Sequence, residues 1–240
     1  MRLYFIITLT IINLVSCKEN SKVIPPGNGF IINVHIENVL NGRTAYLKTQ
    51  NLSHTTTIDS TIINKGKFSF KGIINKPSVY GVFFDSIKGE IGLFMENDII
   101  TIEAYKDSLE SSKIKGSKTH NEYLNFIKQT KRITSKINLL FPEFQKARAE
   151  NNVKKLEEIN IKMQAINTEN TQFTLKYAKR YPDSYVSAFA LYSTLRVPDI
   201  KKDTILKIYN NFSDYVKKGD YSIQILNYLD LNAHLPQTKK

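Results

Sequence analysis

The only cysteine of the 240-residue chain, Cys17, stands where its thiol has a defined chemical use. It follows Arg2 and an apolar run, Leu3–Val15, that is typical of a secretory signal and too short to span a bilayer as a mature helix. Leu14–Val15–Ser16–Cys17 fits the pattern at which bacterial lipoproteins are cleaved and acylated. The sequence therefore predicts a signal peptide over residues 1–16 and lipid attachment at Cys17. The alternative is a free thiol behind an ordinary signal peptide.

Acylation would consume the only thiol and tether the mature chain to a membrane by more than one hydrocarbon chain. Residues 17–28 are polar, contain Pro-Pro-Gly and predict a flexible tether. Lys18–Glu19 resembles the charged tags that direct some lipoproteins to the cell surface. We expect a cell-envelope protein, lipid-anchored to the outer membrane on its periplasmic or surface-exposed face.

Other residues that could do chemistry are present, but not at the spacings that chemistry requires. The histidines are scattered and no H-E-x-x-H pattern occurs, so no metal site is predicted. Four loop carboxylates could form a pair, but no calcium-loop spacing accompanies them, and a solubility role is favoured. We predict no catalytic set and no cofactor. The histidines are His35, His54, His120 and His234, and the carboxylates are Asp85, Glu90, Glu96 and Asp98.

Four tyrosines recur at intervals that suit successive helical turns, namely Tyr177, Tyr181, Tyr185 and Tyr192. They could line a groove. The favoured interpretation is that they are half-buried core residues whose hydroxyls reach water.

The net charge of +12 is concentrated in the second half of the chain. Residues 17–116 carry 12 basic and 10 acidic side chains, whereas residues 117–240 carry 21 and 12. Interspersed Lys and Glu on helices most often form a solvated face. An acidic partner, such as anionic lipid or an acidic protein, is the alternative. No recognition motif accompanies the lysines, so nucleic acid is not an expected partner.

Residues 29–116 indicate short strands separated by turns. Phe30–Glu37 and Thr44–Thr49 flank Asn41–Gly42 and predict a hairpin. Thr55–Gly72 predicts a second one about Asn64–Lys65–Gly66. Each of its strands should offer one apolar face to a core, through Ile58 and Ile62 on the first and Phe68 and Phe70 on the second.

A third hairpin is predicted from Val79–Phe84 and Ile91–Met95, and Ile99–Ala104 follows the turn at 96–98. No helix separates these strands, so parallel pairing is not expected. The spacing favours an antiparallel β-sandwich or a partly open barrel.

From Gly116 the apolar residues recur every three or four positions, which predicts a helical hairpin. Pro142 should kink or restart its first helix. Asp183 or Ser184 is available to cap a helix over Tyr185–Leu195, and helices are also predicted at Lys202–Asp214 and Ser222–Ala233. The hairpin seam comprises Tyr123, Phe126, Thr130, Ile133, Ile137, Leu140, Phe144 and Ala147, facing Leu156, Ile159, Met163, Ile166, Asn170, Phe173 and Tyr177.

The predicted fold class is therefore α+β: a β-sandwich or open barrel over residues 29–116, followed by a helical domain over 117–240 made of a helical hairpin and further short helices.

This order resembles the N-terminal region of Bacteroidetes lipoproteins of the thioredoxin-like, thiol–disulfide interchange kind, whose leading domain has unknown function. The matching stretches are Asp59–Gly72, the strand after Lys76–Pro77, Met95–Glu103, Lys115–Tyr123 and Tyr181–Ala188. The resemblance implies the architecture and the envelope location. Relatives of this kind carry a Cys-x-x-Cys thioredoxin domain after the helices, and no such pair occurs here. Their redox activity therefore transfers to no residue of this chain.

The sequence favours a non-catalytic, lipid-anchored envelope protein that acts as a binding or interaction module for an envelope protein. The alternative is an accessory component of a thiol–disulfide exchange system, acting in trans with a separate thioredoxin-like protein. The sequence gives no indication of an oligomeric state.

Overall fold

The computed structural model describes residues 29–39, 41–50 and 55–229. Cys17, the predicted signal peptide 1–16, the predicted tether 17–28, and His54 and His234 lie outside the described residues. None of the helices in the described part is both long and apolar enough to cross a bilayer.

Within the described residues the N-terminal half forms two four-stranded sheets. The first sheet has the order β4-β1-β7-β8 and the second the order β3-β2-β5-β6. The two sheets share one core, which contains Ile32, Phe70 and Ile100 of the first and Leu47, Val82 and Leu93 of the second. The strands are β1 Phe30–Ile36, β2 Thr44–Gln50, β3 Thr55–Ile62, β4 Lys67–Gly72, β5 Ser78–Phe84, β6 Glu90–Met95, β7 Ile99–Ala104 and β8 Lys113–Lys115.

Helices form the second half and pack on the outer face of the second sheet. Val79 of β5 and Phe94 of β6 belong to the same buried cluster as Phe126, Val186 and Ile225 of the helices. The helices are α1 Lys118–Thr134, α2 Lys136–Ala149, α3 Val153–Arg180, α4 Tyr185–Ser193, α5 Lys202–Asn210, α6 Asp214–Lys217 and α7 Asp220–Tyr228. The predicted fold class is confirmed, with a two-layered β-sandwich as its N-terminal part.

Two of the three predicted hairpins are wrong in their pairing. β1 pairs with β4 and β7, and β2 pairs with β3 and β5, so the chain changes sheet between β1 and β2. It changes sheet again after β3, where Asn64 and Lys67 make an isolated bridge about Lys65 and Gly66. Both turn residues have positive φ, 49° and 71°, as the turn prediction requires. The turn is present, but its flanking strands diverge into opposite layers.

Parallel pairing, which was not expected, does occur. β1 and β7 run parallel, with Ile31 opposite Ile99 and Ile36 opposite Ala104. The long connection that parallel strands need is supplied by the strands between them, most of which form the second sheet, instead of by a helix. The predicted hairpin of β5 and β6 is confirmed, with Val82 opposite Ile91.

The apolar face predicted for β3 is also wrong. Ile58 and Ile62 are 44% and 57% exposed, because the register with β2 turns Asp59 and Thr61 toward the sandwich interior instead. On β4 the prediction is confirmed, since Phe68 and Phe70 are buried.

The helical hairpin follows the predicted seam, whose residues are all buried or half-buried. Ion pairs between Lys136 and Glu169 (2.7 Å) and between Glu143 and Lys155 (3.4 Å) join α2 to α3 in antiparallel orientation. The break in the first helix lies at Ser135, and Pro142 sits inside α2. The helix predicted over Lys202–Asp214 begins as predicted but ends at Asn210, and a separate short helix, α6, starts at Asp214.

Candidate binding groove

The N-terminus of α1 is fixed to the second sheet by polar side chains. The Ser117 hydroxyl accepts a hydrogen bond from the His120 amide (3.0 Å), which caps the helix. Glu96, just after β6, accepts a hydrogen bond from the Thr119 amide (3.3 Å). A carboxylate at a helix N-terminus also interacts favourably with the helix dipole. The direction of α1 is therefore set by the end of β6.

His120 completes this junction from the buried side of α1. Its side chain is almost inaccessible, and its Nδ1 accepts a hydrogen bond from the Phe94 amide (3.2 Å) on β6, the edge strand of the second sheet. Because Nδ1 accepts, the ring is neutral with its proton on Nε2. Burial lowers the pKa of His120 to about 4. His120 is thus a structural link between sheet and helix.

An open cavity of about 900 Å³ lies between α1, the C-terminal part of α3 and the segment that leads into α4. We call it the α1–α3 groove. Its α1 side carries the amides Asn121, Asn125 and Gln129, spaced by four residues so that they lie on one helical face. Its other residues are Lys118, Glu122, Phe126, Phe173, Tyr177, Arg180, Tyr181, Pro182, Asp183 and Ser184.

Aromatic rings from α1 and α3 also line the groove. Phe126 stacks on Phe173 with ring centroids 5.9 Å apart and lies 4.8 Å from the Tyr177 ring. Tyr177 in turn contacts Tyr181 at 4.9 Å, and the Arg180 guanidinium lies 5.5 Å from the Tyr181 ring centroid. Phe126 is buried, whereas Tyr181 is 42% exposed. The aromatic row therefore runs from the core out to solvent.

Glu122 holds the two sides of the groove together. One of its carboxylate oxygens accepts hydrogen bonds from the Tyr177 hydroxyl (2.6 Å) on α3 and from the Ser184 hydroxyl (2.6 Å). Ser184 also caps α4 by accepting from the Val186 amide (3.0 Å), as predicted. Burial and the hydrogen bond to Glu122 raise the pKa of the Tyr177 hydroxyl above its usual value. The Tyr177 ring is consequently held in one position.

The predicted row of four tyrosines divides between three environments. Tyr177 and Tyr181 line the α1–α3 groove, but the Tyr177 hydroxyl binds Glu122 instead of reaching water. Tyr185 is buried against Tyr215, with ring centroids 4.3 Å apart. Tyr192 lies beside a different cavity, of about 540 Å³.

Three of the four loop carboxylates, Asp85, Glu96 and Asp98, accept hydrogen bonds from backbone amides. Asp85 accepts a hydrogen bond from the Thr44 amide (3.0 Å), and Asp98 accepts one from the adjacent Ile99 amide (2.7 Å). Glu96 accepts its hydrogen bond from the Thr119 amide in the first turn of α1. Of the histidines, His35 lies on the surface with Nδ1 3.0 Å from Glu103. In the described part of the chain, no three His, Cys, Asp or Glu side chains are grouped as a metal site would require.

Sequence reasoning missed Glu122, Arg180 and the amide row. The spacing of Asn121, Asn125 and Gln129 was a signal for the row. Nothing in the sequence marked Glu122, whose two partners lie 55 and 62 positions away.

Residues 30–123 match the family model described as Domain of unknown function (DUF4369). The match covers both sheets and the start of α1 through Tyr123, so it includes Glu122 but not the α3 side of the groove. No curated protein matches the chain. The resemblance to a domain of unknown function is therefore confirmed for this segment, and it brings no reaction with it.

Proposed function

We propose that this chain is a lipid-anchored cell-envelope protein that binds an extended segment of another envelope protein in the α1–α3 groove. The single observation that carries the proposal is that an amide row on α1 and an aromatic row running from Phe126 on α1 to Tyr181 after α3 line the same open cavity. The anchor at Cys17 is supported by the sequence pattern alone.

The groove has the dimensions and composition of a binding site. Its volume of about 900 Å³ lies within the range of ligand cavities, which are mostly apolar with a few placed polar groups. Glu122 immobilises Tyr177 and Ser184 before any partner arrives. A pre-organised surface loses less side-chain entropy on binding, which favours affinity.

The amide row suits a polypeptide backbone. Each Asn or Gln side chain offers both donors and an acceptor, as a peptide unit does. From Asn121 to Gln129 the α1 side spans about 12 Å, enough for about four residues of an extended strand. A sugar would need an open aromatic face, but Phe126 is buried and the Arg180 guanidinium lies over Tyr181. These features favour a peptide over a glycan.

The predicted tether would keep the groove near the membrane. The residues from Cys17 to Gly29 can span at most about 40 Å when fully extended. A partner in the same membrane or its periplasmic surroundings would then be met at high effective concentration.

Site-specific photo-crosslinking in the native envelope tests the proposal. Asn125 on the groove and Asn138 on α2 are both exposed asparagines, so they form a matched pair for replacement by p-benzoylphenylalanine. We expect position 125 to capture a discrete protein through an extended segment and position 138 to capture none. Adding Asn121→Arg, which fills the groove, should abolish capture at position 125.

Identical capture at the two positions, or capture that Asn121→Arg leaves unchanged, would contradict a role for the groove. Recovery of a thioredoxin-fold protein at position 125 would replace the general interaction module by the accessory role in thiol–disulfide exchange.

A further inference from the structure

A second cavity, of about 730 Å³, lies between the C-terminal part of α3 and α5, and its lining is basic. Lys176 and Lys179 come from α3 and Lys207 from α5, with Thr204 and Asn211 as additional hydrogen-bonding side chains. No aspartate or glutamate lines it among the described residues. We call it the lysine cavity.

The ammonium groups of Lys176, Lys179 and Lys207 form no ion pair with a carboxylate of the described residues. Lys136 pairs with Glu169 at 2.7 Å and Lys155 with Glu143 at 3.4 Å, whereas no ion pair within residues 29–39, 41–50 and 55–229 includes a lysine of the cavity. A further cation stands at the rim, because Lys217 Nζ donates to the Asn210 carbonyl (2.9 Å). No ion pair therefore neutralises the cavity lysines within the described residues.

The dipoles of α3 and α5 offset only part of the positive charge of the three cavity lysines. The lysines lie near the C-termini of α3 and α5, where cations interact favourably with the dipole. Each C-terminus is equivalent to roughly half a negative charge. Two termini thus offset about one of the three lysine charges, which leaves a net positive potential in the cavity.

We propose that the lysine cavity binds a phosphate-bearing anion. Lysine is a common phosphate ligand that acts as a point charge with three donors, and the Thr204 hydroxyl and the Asn211 amide supply further donors. The apolar side chains of Leu175 and Ile208 form the remaining wall. The phosphoryl group belongs either to a soluble phosphate ester or to an anionic lipid headgroup. This site is separate from the α1–α3 groove and does not depend on its function.

Lysine footprinting of the full chain, kept in solution with a nonionic detergent, tests the proposal. Acetylation rates are followed by mass spectrometry, with inorganic phosphate as the first probe and chloride at equal ionic strength as its control. We expect phosphate to slow acetylation of Lys176, Lys179 and Lys207 by about threefold, while the exposed Lys154 and Lys162 on the other end of α3 are unaffected. Lys207→Gln should remove the protection of the other two cavity lysines, and Lys162→Gln should not.

For the lipid arm the detergent is removed and the protein is incorporated into vesicles, which distinguish the two sources of phosphate. Protection by phosphatidylcholine vesicles that contain phosphatidylglycerol, but not by pure phosphatidylcholine, identifies a lipid headgroup. Protection by inorganic phosphate alone identifies a soluble ester. Equal slowing at all five lysines, or no slowing with either probe, would overturn the proposal, because charge screening without a site gives no selectivity.

Discussion

Acidification is expected to destabilise the fold through His120. In the native protein the imidazole is buried and neutral, and its Nδ1 accepts the Phe94 amide hydrogen. Protonation would place a second N–H donor against that amide and a charge in the interior. Protonation of His120 is therefore unfavourable in the folded protein, which lowers its pKa to about 4.

The direction and size of the effect follow from the difference between the folded and unfolded pKa values. The unfolded chain takes up a proton near the usual histidine pKa of about 6.5, whereas the folded chain does so only near 4. The contribution to stability is full above about pH 6.5 and is lost as pH falls toward 4. The free energy of unfolding should decrease by about 2 kcal/mol between pH 7 and pH 5, and by about 3 kcal/mol at pH 4.

Urea unfolding of the wild type and of His120→Gln across this range isolates the effect, because carboxylates that titrate in the same range are common to both proteins. Glutamine can still accept from the Phe94 amide but does not titrate. The difference in unfolding free energy between the two proteins should shrink by about 2 kcal/mol from pH 7 to pH 5. Parallel profiles for the wild type and His120→Gln would refute the reasoning.

Three further changes test the seam, a backbone conformation and the anchor. Ile159→Asp should lower the unfolding free energy by at least about 3 kcal/mol, because Ile159 is fully buried between the helices. Its control, Ile161→Asp, lies at a 61% exposed position and should change the unfolding free energy by less than about 1 kcal/mol. Thermal unfolding that treats the two alike would show that the seam is misassigned. Gly116→Ala should lower the unfolding free energy by at least about 2 kcal/mol, because φ is +99° and a Cβ would collide with a backbone carbonyl of β7. Gly42→Ala, at φ +81° but in open space, should lower it by only about 1 kcal/mol. Equal losses in calorimetry would contradict this. Cys17→Ala should leave the protein uncleaved or release it from membranes on fractionation, and normal acylation of this variant would remove the basis for the anchor.

The helices could be predicted because their signals are local. The seam from Tyr123 to Tyr177 is set by side chains three or four positions apart, and the Ser184 cap by its own neighbours. The sequence did not predict the helix break at Ser135. Proline is the stronger helix-breaking signal, so the break was predicted at Pro142 instead.

Strand pairing could not be predicted in the same way. Ile31 pairs with Ile99, and no local pattern specifies a partner 68 positions away. The turns near Gly42 and Gly66 have the residues of a hairpin turn, but in this protein the same positive φ occurs where the chain leaves one layer of the sandwich for the other. Turn chemistry fixes where the chain reverses, whereas the shared core decides which sheet receives the next strand.

The first turn of α1 is hydrogen-bonded to the second sheet, although the spacing of apolar residues changes from a strand pattern to a helix pattern before it. β6 is an edge strand, and the outward-facing Phe94 amide would be buried without a partner if His120 were absent. Glu96 likewise depends on the first turn of α1 for its hydrogen bond from Thr119. The family match extends to residue 123 and so includes both contacts. The matched segment therefore includes the helical residues that bind the end of β6, whereas the rest of the helical part, with the α3 side of the groove, lies beyond it.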